Sequence, residues 1–184
     1  MIGLLVLVGL AVLVGFWLIG GYNALVQLRQ QVRNGWSQID VQLKRRHDLI
    51  PNLVEVVKDY MSYEQETLQK VIQARNQAVA ATGPVEQGRA EGTLTQAVRG
   101  LFALFENYPD LKANQNVGQL QEELTSTENK ISFARQFYND TVMRYNTRIQ
   151  QFPTNLMASM FGFRGEPFFE TEAADREPVR VDLR

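Results

Sequence analysis

Hydrophobic and polar positions follow two regimes along this chain, and the change comes near residue 21. From Met1 to Gly20 no side chain is charged or polar, and the run from Leu4 through Val8 to Phe16, Trp17, Leu18 and Ile19 is apolar throughout. Beyond it, apolar residues return every three or four positions, the spacing that lines one face of a helix. Leu25, Leu28, Val32, Trp36, Ile39, Leu43, Ile50, Leu53, Val57, Tyr60, Leu68, Val71 and Val79 form a first stripe, and Leu94, Val98, Leu101, Phe105 and Tyr108 form a shorter one. A third, with a near-heptad repeat, runs through Val117, Leu120, Leu124, Ile131, Ala134, Tyr138, Val142, Tyr145, Ile149 and Phe152. No segment sustains a period of two, so no sheet is expected. The pattern predicts an all-α fold: an N-terminal transmembrane helix followed by an antiparallel up-down helical bundle.

Turn-forming residues divide the stripes. Thr82-Gly83-Pro84, with Gly88 and Gly92 after it, reads as a flexible connection between the first stripe and the second. Asn107-Tyr108-Pro109-Asp110 closes the second, and Asn114 is placed to cap the helix that carries Val117. Pro51 is harder to place. Proline lacks an N–H and crowds the carbonyl four residues back, which breaks or kinks a helix, yet the apolar phase crosses it from Leu43 through Ile50 to Val57. Two arrangements satisfy the pattern: one kinked helix over 22–81 in a three-helix bundle, or two helices meeting in a tight turn over 47–51 in a four-helix bundle. The domains expected are a transmembrane anchor over 1–21, a helical bundle over 22–152, and a phenylalanine-containing tail with a charged C-terminus over 153–184.

Residues 2–20 are long enough to anchor the chain, because about 20 residues rising about 1.5 Å each span a hydrocarbon core of about 30 Å. A cleaved signal would need a basic leader, a shorter apolar stretch and a small-x-small cleavage site. Here only Met1, Ile2 and Gly3 precede the run, which ends at Gly20-Gly21-Tyr22-Asn23. Arg29 and Arg33 follow the segment and no basic side chain precedes it, so the positive-inside bias puts the N-terminus outside and the bundle in the cytoplasm. With no cysteine, lipidation through a thiol is excluded and a reducing compartment is consistent. Ala11 and Gly15 make a small-x-x-x-small pair, the spacing at which spans pack closely. They are candidate contacts of a homo-oligomer.

The inventory of reactive groups argues against catalysis. His47 is the single histidine, and Lys44 stands where a Glu-x-x-His metal motif needs its carboxylate. No phosphate-binding glycine loop is present, so no cofactor, metal or catalytic residue is expected. Glu122, Glu123, Glu128 and Glu64 are the carboxylates near apolar stripes, with Arg75 and Arg135 as candidate ion-pair partners, since an unpaired buried charge is costly. The cluster Lys44, Arg45, Arg46 and His47 is a candidate docking surface for a cytoplasmic partner. Nucleic acid is excluded by the net charge of −1 and by Asp40 and Asp48 beside the cluster. Lipid is excluded there because 24 residues of helix carry Arg46 about 36 Å from Tyr22, beyond a screening length of about 8 Å. In the tail, Leu156, Met157, Met160, Phe161 and Phe163 form a short apolar stretch that either covers the bundle or contacts membrane or another copy.

Several stretches resemble one family. The segment from Trp36-Ser-Gln-Ile-Asp through Lys-Arg-Arg-His47 to Leu-Ile-Pro-Asn-Leu-Val-Glu55 is similar to the most characteristic stretch of the LemA family. So are Glu106-Asn-Tyr-Pro-Asp-Leu-Lys-Ala-Asn114, Thr127-Glu-Asn-Lys-Ile-Ser-Phe-Ala-Arg135, Tyr138-Asn139-Asp140, Phe161-Gly-Phe163 and Phe168-Phe169, in family order over roughly 20–182. The resemblance implies an N-terminal anchor and a four-helix bundle, which favours the turn at Pro51, in a bacterial inner-membrane protein. It also implies a loose connection to envelope stress, to membrane metalloproteases and to magnetosome membranes, without naming a reaction. The function expected is a membrane-anchored, non-enzymatic scaffold, with an accessory subunit of a membrane protease or a membrane-shaping protein as alternatives.

Overall fold

The computed structural model describes residues 1–170. The charged end expected after Glu170 lies outside the described residues. Among those described, every regular element is helical: α1 (Ile2–Val57), α2 (Gln65–Ala80), α3 (Gly83–Leu104), a 3-10 turn (Phe105–Asn107), a short α4 (Pro109–Lys112), α5 (Gln115–Gln150) and α6 (Thr154–Met160).

Of the two arrangements open at Pro51, the turn over 47–51 does not occur, and the helix that passes through Pro51 does not reach residue 81. α1 runs through Pro51 and ends only at Val57, and the reversal comes over 58–64, where Met61 N–H and Glu64 N–H bond to the carbonyls of Val57 and Met61. The reason is a replaced hydrogen bond. A proline at 51 cannot donate to the carbonyl of His47 four residues back, and Arg75 from α2 supplies that donor instead, Nε to the His47 oxygen at 3.1 Å.

The glycine-rich stretch is also not a loop. α3 starts at Gly83, whose φ of +79° suits the tight reversal, and Gly88 and Gly92 lie inside the helix. Gln87 on α3 donates to the carbonyl of Ala78, in the last turn of α2, at 2.9 Å. One of the orphan acceptors at that helix end is thereby satisfied, which ties the two helices together directly. Gly88 lies against the backbone of Glu170, where any Cβ would collide. Asn114 caps α5 as expected, its Oδ1 accepting from the N–H groups of Asn116 and Val117.

The chain divides into two compact units. Among the described residues the first comprises Met1–Gln38 and Ala134–Pro167, the second Ile39–Phe133 and the chain from Phe168 to Glu170. In the first, α1 and α5 lie antiparallel, with the Trp36 and Tyr138 rings 5.7 Å apart. Gly35 allows the close approach, since a Cβ there would sit 3.3 Å from the Cα of Tyr138. The second unit holds the main apolar cluster: Ile50, Leu53, Val57 and Met61, then Leu68 and Val71 of α2, Leu94, Val98 and Leu101 of α3, and Val117 and Leu124 of α5. Three stripe positions depart from expectation, since Tyr60, Val79 and Phe152 are exposed.

Candidate functional site

The second unit closes around a buried polar group. Glu91 of α3 has a side chain only 4 % exposed, and Arg46 (5 %) and His47 (9 %) of α1 face it. The carboxylate accepts from Arg46 Nη1 at 3.0 Å, from His47 Nε2 at 2.6 Å and from Gln87 Nε2 at 3.2 Å. The second guanidinium nitrogen of Arg46 reaches Thr95 Oγ1 at 2.9 Å and Glu128 at 3.1 Å.

Within this group each charge is turned onto another. A buried carboxylate that faces three donors, one of them a guanidinium, is fully used in bonds between helices. Arg46 borders a cleft of about 200 Å³ that Val98, Arg99, Phe102 and Leu124 also line, smaller than the roughly 300 Å³ at which ligand pockets begin. Among the described residues no three His, Cys, Asp or Glu side chains are arranged to hold a metal ion. What the arrangement can do chemically is fix α1, α3 and α5 in register.

The four residues offered as a docking surface therefore part company. Lys44 and Arg45 are exposed, with Arg45 paired to Glu123 at 2.7 Å, whereas Arg46 and His47 face inward. Glu128 and Glu123 do form ion pairs, with Arg46 and Arg45 in place of Arg75 and Arg135, and Glu64 meets the hydroxyl of Tyr108 at 3.4 Å. Glu91 was not among the carboxylates weighed from the sequence. Its signal was there, because Gln87 and Glu91 continue the stripe Leu94, Val98, Leu101, Phe105 backward at steps of three and four. Arg46 likewise sits in phase between Leu43 and Ile50.

The first unit carries the tail. α6 buries Thr154, Met157 and Ala158 and exposes Leu156 and Met160 one turn apart on the opposite face. It ends in a glycine cap: Gly162 takes φ of +70°, and the N–H of Phe163 bonds back to the carbonyl of Ala158 at 2.9 Å. The cap returns the chain toward α1, so that the rings of Phe161 and Phe163 meet Tyr22 at 5.0 and 5.6 Å. The guanidinium of Arg29 lies over Phe163, 5.0 Å from its centroid. Met157 packs on Gly21, where a Cβ would come within 2.6 Å of its Cε.

Three side chains of α5 then hold the following strand of chain. Tyr145 donates to the carbonyl of Arg164 at 2.9 Å, and Tyr138 to that of Pro167 at 2.8 Å. Asn146 pairs with both the N–H and the carbonyl of Glu166, each at 2.9 Å. Burial and the nearby Glu166 carboxylate push the Tyr138 hydroxyl up to about 12, and burial raises Tyr145 as well. Both therefore remain donors at neutral pH. Ala11 and Gly15 belong to the N-terminal part of α1, where Gly15 has no neighbour within 4 Å of a Cβ position. That part is long and apolar enough to cross a membrane.

Residues 35–183 match the LemA family. The chain is 30% identical over 172 residues to Protein LemA of Metamycoplasma hominis, covering 91% of this chain and 76% of the relative. It is 24% identical over 188 residues to Magnetosome protein MamQ 2 of Paramagnetospirillum magneticum and 23% identical to Magnetosome protein MamQ of Magnetospirillum gryphiswaldense, covering 88% of this chain and 69% of each relative. None of these relatives is named for a catalytic activity.

Proposed function

The chain belongs to the LemA family, and from that membership and its own N-terminal helix we propose that it is a membrane-anchored, non-enzymatic helical scaffold. Residues 2–20 hold it in the bacterial inner membrane with the bundle in the cytoplasm, where it recruits partner proteins or assembles with copies of itself. The observation that carries the reading is the exposure of the first part of α1. Leu4, Leu5, Leu7, Leu10, Leu13, Phe16 and Ile19 are each more than 60 % exposed. At about 1.5–3 kcal/mol per side chain, moving the seven of them from water into an apolar medium gains on the order of 10–20 kcal/mol, which supports a lipid environment for this segment. The non-enzymatic part is supported by the use of the buried polar groups on one another. The cytoplasmic orientation is supported by the first charged residues, Arg29 and Arg33, both following the span.

Carbonate washing of native membranes should leave the chain in the pellet, and protease added to intact spheroplasts should leave the bundle uncut. Extraction by carbonate would remove the anchor; digestion after Tyr22 in intact spheroplasts would reverse the topology. Crosslinking in the same membranes should trap multiples of 21.0 kDa or one recurring partner, and Gly9→Leu with Gly15→Leu should shrink the self-assembled species. A chain that stays monomeric and recovers no recurring partner refutes the scaffold.

A further inference from the structure

α6 sits at one particular level of the molecule. Met157 packs on Gly21 and Phe161 on Tyr22, immediately after the apolar run of 2–20 ends. Its inner face is used in that packing. Its outer face presents Leu156 (58 % exposed), Met160 (71 %) and, beside them, Phe152 (79 %) and Phe161 (50 %). Trp17 and Tyr22, the two amphipathic aromatics at the end of the span, are partly exposed at the same end, as expected where a span leaves a bilayer.

Charge is distributed to match. In the first unit the charged side chains are Arg29, Arg33, Arg135, Arg144, Arg148 and Arg164 against Asp140 and Glu166, a formal +4. The whole chain carries −1, so the rest of it carries −5. Arg29 lies over Phe163, Arg164 directly follows it, and Arg148 precedes the exposed Phe152 by four residues. A short helix with an apolar outer face and arginines beside it is suited to the boundary between headgroups and acyl chains of an anionic membrane.

We infer that α6, through Phe152, Leu156, Met160 and Phe161, lies in the surface of the bilayer that the span enters and binds its anionic lipids with the adjacent arginines. The inference rests on the anchored reading above. Two features commit the face to lipid over a protein partner: its direct continuity with the end of the span, and the three arginines beside it, Arg29, Arg148 and Arg164. It gives the scaffold a second, composition-sensitive foothold, which fixes how the bundle stands on the membrane.

The chain has no cysteine, so one can be introduced by Ser159→Cys, carried with an environment-sensitive fluorophore in the full chain reconstituted into vesicles. A separate Gly9→Cys probe reports the span. In vesicles of 30 mol% phosphatidylglycerol in phosphatidylcholine, with a quencher at the fifth acyl carbon, the probe at 159 should lose about half its emission. Pure phosphatidylcholine should quench it several-fold less, and Leu156→Gln with Met160→Gln should abolish quenching while the helical circular dichroism stays unchanged. Quenching that is equal in both lipids overturns the inference. So does an unquenched 159 probe beside a quenched Gly9→Cys probe, which leaves the anchor standing; if neither probe is quenched, the anchor itself falls. Excimer emission from pyrene at 159, rising with protein density in place of lipid quenching, assigns the face to a second copy and overturns the inference as well.

Discussion

Arg75→Met tests the account of how α1 passes through Pro51. The substitution keeps an unbranched apolar stem of similar reach and removes the Nε donor that stands 3.1 Å from the His47 carbonyl. No backbone N–H can replace it, because residue 51 is proline, so a carbonyl inside the bundle is left without a partner at a cost of about 1–3 kcal/mol. In a Pro51→Ala background the alanine N–H supplies the ordinary helical bond, and Arg75→Met should then cost less than about 0.5 kcal/mol. The pair should show a coupling of about 1–2 kcal/mol in a double-mutant cycle. Urea unfolding of the full chain in mild detergent, followed by far-ultraviolet circular dichroism, measures all four corners. Equal costs of Arg75→Met in the two backgrounds, within about 0.3 kcal/mol, would show that Arg75 does not stand in for the missing N–H.

Glu91→Leu should destabilise the bundle by about 3–5 kcal/mol, because Arg46 and His47 are left buried without their shared anion. Arg46→Met and His47→Leu added to it should recover most of that loss in the same assay. For Tyr138, whose hydroxyl is raised from 10 to about 12 in the fold, the unfolded chain loses its proton first as the solution becomes alkaline. The stabilising contribution is complete below about pH 10 and is lost as pH climbs to about 12, by up to about 3 kcal/mol; Tyr138→Phe should remove that part of the alkaline slope. Tyr145→Phe unties the Arg164 carbonyl at a cost of about 1 kcal/mol, so trypsin should cut after the exposed Arg164 several-fold faster in limited proteolysis.

The order of helices was legible in the sequence because it rests on periodicity. The stripes through Ile39, Leu43, Ile50, Leu53 and Val57 and through Val117, Leu124, Ile131, Tyr138, Val142 and Tyr145 are the buried faces of α1 and α5. What misled were residues whose local meaning is overruled by a partner far along the chain. Pro51 taken alone favours a break, and nothing near it in sequence announces that Arg75 will satisfy the carbonyl it orphans. Gly88 and Gly92 taken alone favour a loop, yet α3 is secured by Gln87 on the end of α2, and Gly88 is small because the backbone of Glu170 lies against it. The glycines point to a loop that does not form, and Pro51 is compatible with either a kink or a turn, since a kink, a close approach and a turn share the same residue types.

The polar core was hidden by the opposite error, in which charge was taken as a sign of the surface. The cluster from Lys44 to His47 looks uniform in sequence, but helical phase splits it: Arg46 shares the face of Leu43 and Ile50, and Lys44 and Arg45 do not. The same phase puts Glu91 and Gln87 on the face of Leu94 and Val98. Two charges of opposite sign, each in register with an apolar stripe on a different helix, are costly to bury separately and tolerable together. Their pairing is therefore favoured by the sequence pattern itself. Replacing either Arg46 or Glu91 alone leaves the other buried without its partner, whereas Lys44 and Arg45 are exposed and Arg45 makes only a surface pair with Glu123. Lys44 and Arg45 therefore belong to the outer surface, while Arg46, His47 and Glu91 hold the register of the helices beneath them.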